Sequence, residues 1–547
     1  MVNSDPFSPN RRVFYPGISL ERGVAIPMSD RIKLCSDIYR PNSTQEKLPI
    51  LLMRLPYGRD IASTVAYRHP SWYAQQGYIV VIQEVRGCGN SEGEFYPFRS
   101  EYGDTVDTIE WCISEIPKNN GKLGMYGFSY QGVVQFQGAV MQPKGLVTIC
   151  PAMASADLFE GWFYWGGALC WEFVFTWALQ LAQIKTTESL ELWQAQQNIP
   201  NLVRSVLARH FPLLTENSAN QFYLDWLNWR SFEQWQSIHP IHLFDRFDLP
   251  ALHIGGWYDP FITGIWQTYR RACEVTKQPQ KLIIGPWKHF PWRRRVGEID
   301  FGREAERSVD EIQIDWFDFW LKDKDNGIVQ KERQTFFLMG KNEWLTEDER
   351  QNKEELIYFL NTDRVLATTR SMDSLPNIYV YEPYNPTPST EYLPVNQRQI
   401  NDRWDCLTFR SDVLQADYPI GGIVKCHLVA ATNAPDTDWV LKLLDIYPDD
   451  REMLVTMAVL RASYGGKKPT DLDQFSYDIQ FRPTYHSFAA GHQIGLTVSS
   501  AAFPLIERHS NTAKEPSSTH PKEWQASTQL IFPESCLSLP LIRSSKP

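Results

Sequence analysis

The segment Gly127-Phe-Ser129-Tyr-Gln-Gly132 follows a short apolar run, Leu123-Gly-Met-Tyr-Gly127, and precedes a helix-like stretch. A serine on a sharp strand-to-helix turn exposes its hydroxyl above the strand end, and small neighbours relieve the crowding there. The usual Gly-x-Ser-x-Gly spacing is broken, because Gln131 holds the second glycine's position and glycine arrives one residue later. A serine hydroxyl is a weak nucleophile until a base takes its proton, and that base needs a carboxylate to orient it. In hydrolases built on such an elbow the chain order is Ser, then Asp or Glu, then His. Two later segments fit: Ile254-Gly-Gly-Trp-Tyr-Asp259-Pro-Phe261 and Ile284-Gly-Pro-Trp-Lys-His289, each after a strand-like run. Ser129, His289 and Asp259 are therefore the candidate nucleophile, base and orienting acid of acyl-transfer chemistry. With 11 histidines in the chain, order alone is cheap evidence. Order combined with placement at strand ends, where such folds build their sites, is far more selective. Asp259 also stands where a helix beginning at Pro260 would take a cap, a role compatible with catalysis.

Those three residues need a parallel sheet to hold them. Pro49-Ile-Leu-Leu-Met-Arg54 and Tyr78-Ile-Val-Val-Ile-Gln83 are apolar runs suited to buried parallel strands, and Leu146-Val-Thr-Ile-Cys150 continues the series. Between Asp104 and Ile116, apolar residues at 106, 109, 113 and 116 keep helical spacing. From about Asp157 to Arg246 the chain is rich in Trp, Leu and Gln, lacks β runs and reads as helices. Strand signals return at Ala251-Leu-His-Ile254 and Lys281-Leu-Ile-Ile284, so this block is expected to be an inserted cap. A last helix, Ser308 to Lys322, carries Trp316, Phe317, Phe319 and Trp320, and Asp323-Lys-Asp-Asn-Gly327 breaks it. Beyond lie short strand-like runs, Gln334–Leu338, Leu356–Leu360 and Ile423–Leu428 among them, as in an antiparallel β-sandwich. The expected fold is α/β: a hydrolase domain over residues 1–156 and 247–330, a helical cap over 157–246, and a C-terminal β-domain over 331–547.

Composition narrows the function classes. At 547 residues more than one core is expected, and a net charge of -10 argues against nucleic acid as a partner. The nine cysteines are dispersed with no Cys-x-x-Cys pair, which reads as reduced thiols. No stretch approaches the length of a membrane span, and Met1-Val-Asn-Ser-Asp-Pro-Phe7 lacks the pattern of a signal peptide. The Asn42-Ser-Thr sequon would matter only in a secretory lumen, so a cytoplasmic protein is expected. No His/Cys/Asp/Glu cluster has metal-ligand spacing and no glycine-rich phosphate loop follows a strand, so no cofactor or metal is expected. Arg293-Arg-Arg295 could attract an anionic substrate, but a charge run of this kind is usually a solvated face.

Several segments together resemble a known family. Leu123-Gly-Met-Tyr-Gly-Phe-Ser-Tyr-Gln-Gly-Val-Val-Gln135, Gly256-Trp-Tyr-Asp259 and Gly285-Pro-Trp-Lys-His289 are similar to the cocaine-esterase-like (CocE/NonD) hydrolases, relatives of the X-Pro dipeptidyl-peptidases and α-amino ester hydrolases. Ser36-Asp-Ile-Tyr-Arg-Pro41, Val85-Arg-Gly-Cys-Gly-Asn-Ser-Glu-Gly93, Ala434-Pro-Asp-Thr-Asp438 and Ala490-Gly-His492 extend the likeness over nearly the whole chain. In that family the elbow reads Gly-x-Ser-Tyr-x-Gly, so Gln131 is no departure. The resemblance implies a hydrolase domain, a helical cap and a C-terminal jelly-roll. It implies Ser129, Asp259 and His289 as the triad, the Tyr130 backbone N–H as one oxyanion donor, and the Tyr57 hydroxyl, in Leu55-Pro-Tyr57-Gly58, as the second. It also suggests Trp165 and Phe261 for the acyl pocket, although aromatic packing alone would account for both.

The expected activity is hydrolysis of small-molecule esters through an acyl-enzyme on Ser129, without a cofactor. The amino ester hydrolases carry extra carboxylates just after the catalytic aspartate, whereas here Pro260-Phe261-Ile262 follows; Glu160 or Glu172 of the cap would have to supply that charge. An X-Pro dipeptidyl-peptidase or acylase acting on amides is the alternative, and a catalytically dead hydrolase acting as a binding protein is the non-enzymatic one. A homodimer is implied by analogy alone.

Overall fold

The computed structural model describes residues 14–42, 46–185, 190–205, 207–290, 292–331, 333–347, 354–372, 375–389, 392–467, 469 and 472–542. The N-terminal residues Met1–Phe7 and the sequon residues Ser43 and Thr44 lie outside them.

Ten strands form the first sheet: β1 (Ile18–Pro27), β2 (Lys33–Pro41), β3 (Leu48–Leu55), β4 (Ile79–Glu84), β5 (Asn119–Phe128), β6 (Leu146–Ala152), β7 (Ala251–Tyr258), β8 (Gln280–Lys288), β9 (Gln334–Leu338) and β10 (Glu343–Glu347). Their spatial order is β1-β2-β4-β3-β5-β6-β7-β8-β9-β10. The pairs from β4 through β9 are parallel, with β1, β2 and β10 antiparallel at the edges. Every residue of β3 and β4 is buried, as parallel strands covered on both faces require. Alternation divides their side chains: Ile50, Leu52, Ile79 and Val81 join one apolar layer, and Leu51, Met53, Val80 and Ile82 the other. The first layer packs under the helices Glu101–Glu115, Tyr130–Met141 and Ile262–Val275, the second under Val309–Lys322. The aromatic residues of that last helix are thus explained by packing, with Trp316 Nε1 also donating to Thr148 Oγ1 at 2.7 Å.

Between β6 and β7 the chain is mainly helical, including Trp171–Lys185, Leu190–Gln197, Ile199–Ser205 and Gln221–Asn228. A single π turn, Phe159–Phe163, and a two-residue hairpin pairing Tyr164–Trp165 with Ala168–Leu169 open this insert. No alternating run announces the hairpin.

The strand Gln334–Leu338, grouped in the sequence reading with the C-terminal strands, extends the parallel sheet by pairing with β8 at Leu282↔Gln334. Its apolar residues pack on β7, with Trp257 Nε1 donating to the Phe337 carbonyl at 2.8 Å. From Glu355 onward the chain is mainly β, a mostly antiparallel β-sandwich around Leu360, Phe409, Trp439, Leu441, Leu496 and Leu537, with a short α-helix at Arg398–Asn401. The two bodies are stitched by main-chain bonds: Met339 N–H to the Tyr485 carbonyl (3.0 Å) and Ser487 N–H to the Met339 carbonyl (2.8 Å). Among the described residues no helix is long and apolar enough to cross a membrane.

One buried histidine makes stability pH-dependent. His253 on β7 meets Gln280 Oε1 at 3.1 Å, and burial pushes its pKa down to about 4. A folded-state value below the unfolded 6.5 means the unfolded chain binds the proton first. The contribution, about 3 kcal/mol, is present above pH 6.5 and lost as pH falls toward 4. His253→Gln is expected to flatten the fall in thermal midpoint between pH 7 and 4.5, measured by scanning fluorimetry; an unchanged slope would remove His253 as the cause.

Candidate active site

The turn at Ser129 joins β5 to the helix Tyr130–Met141, and Ser129 sits at φ 61°, ψ −126°. A non-glycine residue held there costs about 1–3 kcal/mol, and the surroundings must enforce it. They do so with main-chain bonds: Ser129 N–H donates to the Ala152 carbonyl at 2.9 Å, and Gly132 N–H to the Ser129 carbonyl at 2.8 Å. The close approach that demands glycine falls at position 132, where a Cβ would lie 2.4 Å from Ala154 Cβ. Position 131 is free to hold glutamine, whose Oε1 accepts from Phe128 N–H at 3.1 Å. This is why the elbow tolerates Gln131.

Asp259 follows the end of β7 and His289 the end of β8, so all three residues lie at the C-terminal ends of parallel strands. His289 Nε2 is 3.0 Å from Ser129 Oγ, and His289 Nδ1 is 3.2 Å from Asp259 Oδ2. Asp259 is fully buried, and its second oxygen, Oδ1, accepts from Phe261 N–H at 2.7 Å. Its carboxylate is thereby aimed by its own turn. The arrangement can pass a proton from hydroxyl to imidazole while the carboxylate steadies the ring.

Tyr130 is anchored through its side chain. Its hydroxyl donates to Glu101 Oε1 at 3.0 Å and accepts from Phe98 N–H at 3.1 Å, and its ring stacks on Phe98 at 4.3 Å. Glu101 in turn pairs with buried Arg54 at 2.5 Å. The helix start is therefore rigid, and the first N–H groups of a helix have no intrahelical acceptor, leaving them to face an anion. The Tyr57 hydroxyl accepts from Trp177 Nε1 at 2.8 Å, which leaves its own proton to donate. Burial pushes its pKa up, so it stays protonated.

Phe261 stands edge-on to His289 with centroids 5.0 Å apart. Trp165 packs on Tyr392 at 5.8 Å, with the Arg482 guanidinium 5.4 Å from its ring. The ring that covers Phe261 is Trp162, stacked face to face at 3.7 Å. Phe173 and Trp177 complete the aromatic wall, at 5.2 Å from Phe261 and 6.1 Å from Trp162 respectively. The Phe173–Trp177 spacing of four on one helix was the available signal for this pair. Glu160 accepts from Gly166 N–H at 3.1 Å, and burial pushes its carboxyl up beside Tyr464 of the β-sandwich. Arg294 and Arg295 both pair with Asp300, at 3.3 and 3.1 Å, a local surface arrangement.

A serine at a strained elbow of a mostly parallel sheet, with histidine and buried aspartate from the next strand ends, defines a serine hydrolase of the α/β type. Family comparison narrows this. The X-Pro dipeptidyl-peptidase (S15) family matches residues 30–291, and the C-terminal non-catalytic domain of X-Pro dipeptidyl-peptidases matches residues 326–530. The cocaine esterase of Rhodococcus sp. (strain MB1 Bresler) is 30% identical over 543 residues, covering 90% of this chain and 93% of the esterase. The chain belongs to this family of cocaine-esterase-like and S15 hydrolases. Among solved structures, an aminopeptidase from a marine sediment Thaumarchaeota archaeon superposes with a TM-score of 0.85 at 21% identity, covering 99% of this chain and 98% of that one. An α-amino acid ester hydrolase does so with a TM-score of 0.77 at 22% identity, covering 96% and 97%. These two likenesses speak to the fold.

Proposed function

We propose that the protein hydrolyses carboxylic esters of small molecules by a two-step acyl-enzyme mechanism, with Ser129 as nucleophile, His289 as general base and Asp259 as orienting acid. The observation that carries this reading is the unbroken Oγ–Nε2 and Nδ1–Oδ2 relay at 3.0 and 3.2 Å. His289 takes the Ser129 proton as Oγ bonds to the carbonyl carbon, and the carbonyl oxygen becomes an oxyanion held by the Tyr57 hydroxyl and the Tyr130 N–H. The tetrahedral adduct collapses, the C–O bond to the alcohol breaks, and His289 protonates the leaving oxygen. Water, deprotonated by His289, then attacks the acyl-enzyme and releases the acid, and Ser129 recovers its proton. An intact relay speaks against a purely binding role.

An ester is favoured because the wall beside His289 and Phe261 is aromatic, and Glu160 Oε2 accepts from Gly166 N–H. The S15 match supports a second reading, cleavage of X-Pro amides. The test is turnover of p-nitrophenyl acetate and butyrate beside an X-Pro p-nitroanilide. Ester turnover exceeding amide turnover by at least about 100-fold in kcat/KM is expected; the reverse ranking overturns the ester reading.

Tyr57→Phe removes one donor to the oxyanion. Its kcat for p-nitrophenyl butyrate is expected to fall about 100- to 1,000-fold with KM nearly unchanged. A loss below about threefold would assign the oxyanion to main-chain donors alone. The buried free thiols of Cys112, Cys150 and Cys426 suit a reducing cytoplasmic setting.

A further inference from the structure

Arg482 belongs to the C-terminal sandwich, two residues beyond the strand Phe475–Gln480, and is only 4% exposed. Burying a guanidinium carries a large desolvation cost unless a partner offsets it, and the usual partner is a carboxylate. Among the described residues no carboxylate forms an ion pair with it. Its Nη2 instead donates to the main-chain carbonyl of Asp259. The guanidinium lies over the Tyr392 ring at 4.2 Å and near Trp165 at 5.4 Å, and its Nε makes no hydrogen bond. Burial holds its pKa below the ordinary arginine value, with Tyr392, the Asp259 carboxylate and Cys170 pulling it back up.

The arginine is held on a rigid frame. Its N–H donates to the Met457 carbonyl at 3.2 Å, and its own carbonyl accepts from Thr456 Oγ1 at 2.9 Å, both on the strand Glu452–Arg461. At the other end, the Asp259 carbonyl also accepts from Ile262 N–H at 3.2 Å, while Asp259 N–H donates to the Gly256 carbonyl at 3.1 Å. Two bonds of the turn and one from another domain thus fix the backbone of the residue whose Oδ2 faces His289. A misplacement of an orienting group by a fraction of an ångström is enough to slow proton transfer.

We propose that Arg482 is a positioning residue for Asp259: the C-terminal sandwich reaches into the hydrolase domain and holds the acid's turn with a buried guanidinium, so that the β-domain completes the active site. This rests on the reading of Asp259 as the orienting acid. The main chain of Arg482 stays with the sandwich while its side chain reaches the carbonyl of Asp259, so it acts on that turn rather than on substrate.

The test is a double-mutant cycle with Arg482→Met and Asp259→Asn, reading single-turnover acylation by p-nitrophenyl butyrate, with thermal midpoints recorded alongside. Arg482→Met alone is expected to lower the acylation rate about 10- to 100-fold with KM within about twofold, and to cost less than about threefold once Asp259→Asn is present. In Arg482→Ala, millimolar guanidinium is expected to recover activity, and urea, equal in shape but neutral, is not. Arg482→Lys, which keeps charge and length, is expected to retain more activity than Arg482→Met and serves if the latter fails to fold. An equal loss in both backgrounds, or no loss in the wild type, overturns the proposal. Full activity of Asp259→Asn by itself would instead overturn the reading of Asp259.

Discussion

Ser129→Ala is expected to lower kcat for p-nitrophenyl butyrate by about 10^5- to 10^6-fold and to abolish labelling by a fluorophosphonate. The reason is chemical: without Oγ no acyl-enzyme can form, and His289 can only promote direct attack by water. A residual acceleration of about 10^3- to 10^4-fold over the uncatalysed reaction is expected, because oxyanion donors and binding survive the substitution. Stability should change by less than about 1 kcal/mol, since alanine inherits the same positive φ and loses a single partly exposed hydrogen bond. Ser129→Gly should be as inactive yet more stable, because glycine adopts φ 61°, ψ −126° without a Cβ penalty. Retained labelling in a folded Ser129→Ala variant would place the nucleophile elsewhere.

Asp259→Asn is expected to cost about 10^4-fold in kcat while leaving the fold and KM largely intact. The carboxylate is fully buried and accepts at both ends, from Phe261 N–H through Oδ1 and from His289 through Oδ2. Asparagine has one acceptor oxygen. If that oxygen keeps the Phe261 bond, its NH2 faces His289 Nδ1 and forces the tautomer whose Nε2 carries a proton and cannot accept one from Ser129. Pre-steady-state assays should show acylation slowed as strongly as turnover. A loss confined to KM would contradict an orienting role and make Asp259 a purely structural anchor of the turn that precedes the helix Ile262–Val275.

The placement of Ser129, Asp259 and His289 together at strand ends was legible because each follows a strand whose apolar run is itself unmistakable, and chain order restricts the roles they can be proposed for. That Leu48–Leu55 is a buried parallel strand was equally plain from its apolar run, whereas its register with its neighbours was not, because a strand buried on both faces has no polar face to fix it. Trp165 shows where local reading stops. Gly161-Trp-Phe-Tyr-Trp165 offers four aromatic rings in a row with no periodicity to rank them. The π turn Phe159–Phe163 rotates Trp162 toward Phe261, and the following hairpin carries Trp165 to Tyr392. The strand Gln334–Leu338 teaches the same lesson at larger scale: its pattern suits either sheet, and Trp257 and β8 recruit it to the first.

The sequence by itself determined which chemistry could be proposed here, since a candidate nucleophile, base and acid at three strand ends depend on local pattern and chain order. What only the tertiary structure decided are the contacts between residues far apart in the chain. Trp177 reaches Tyr57 across 120 positions, and Arg482 reaches the Asp259 carbonyl across 223. Neither arginine nor tryptophan sits in a motif. Their roles come from burial, which makes an unpartnered N–H costly and therefore selects whatever acceptor the packed domains bring within reach.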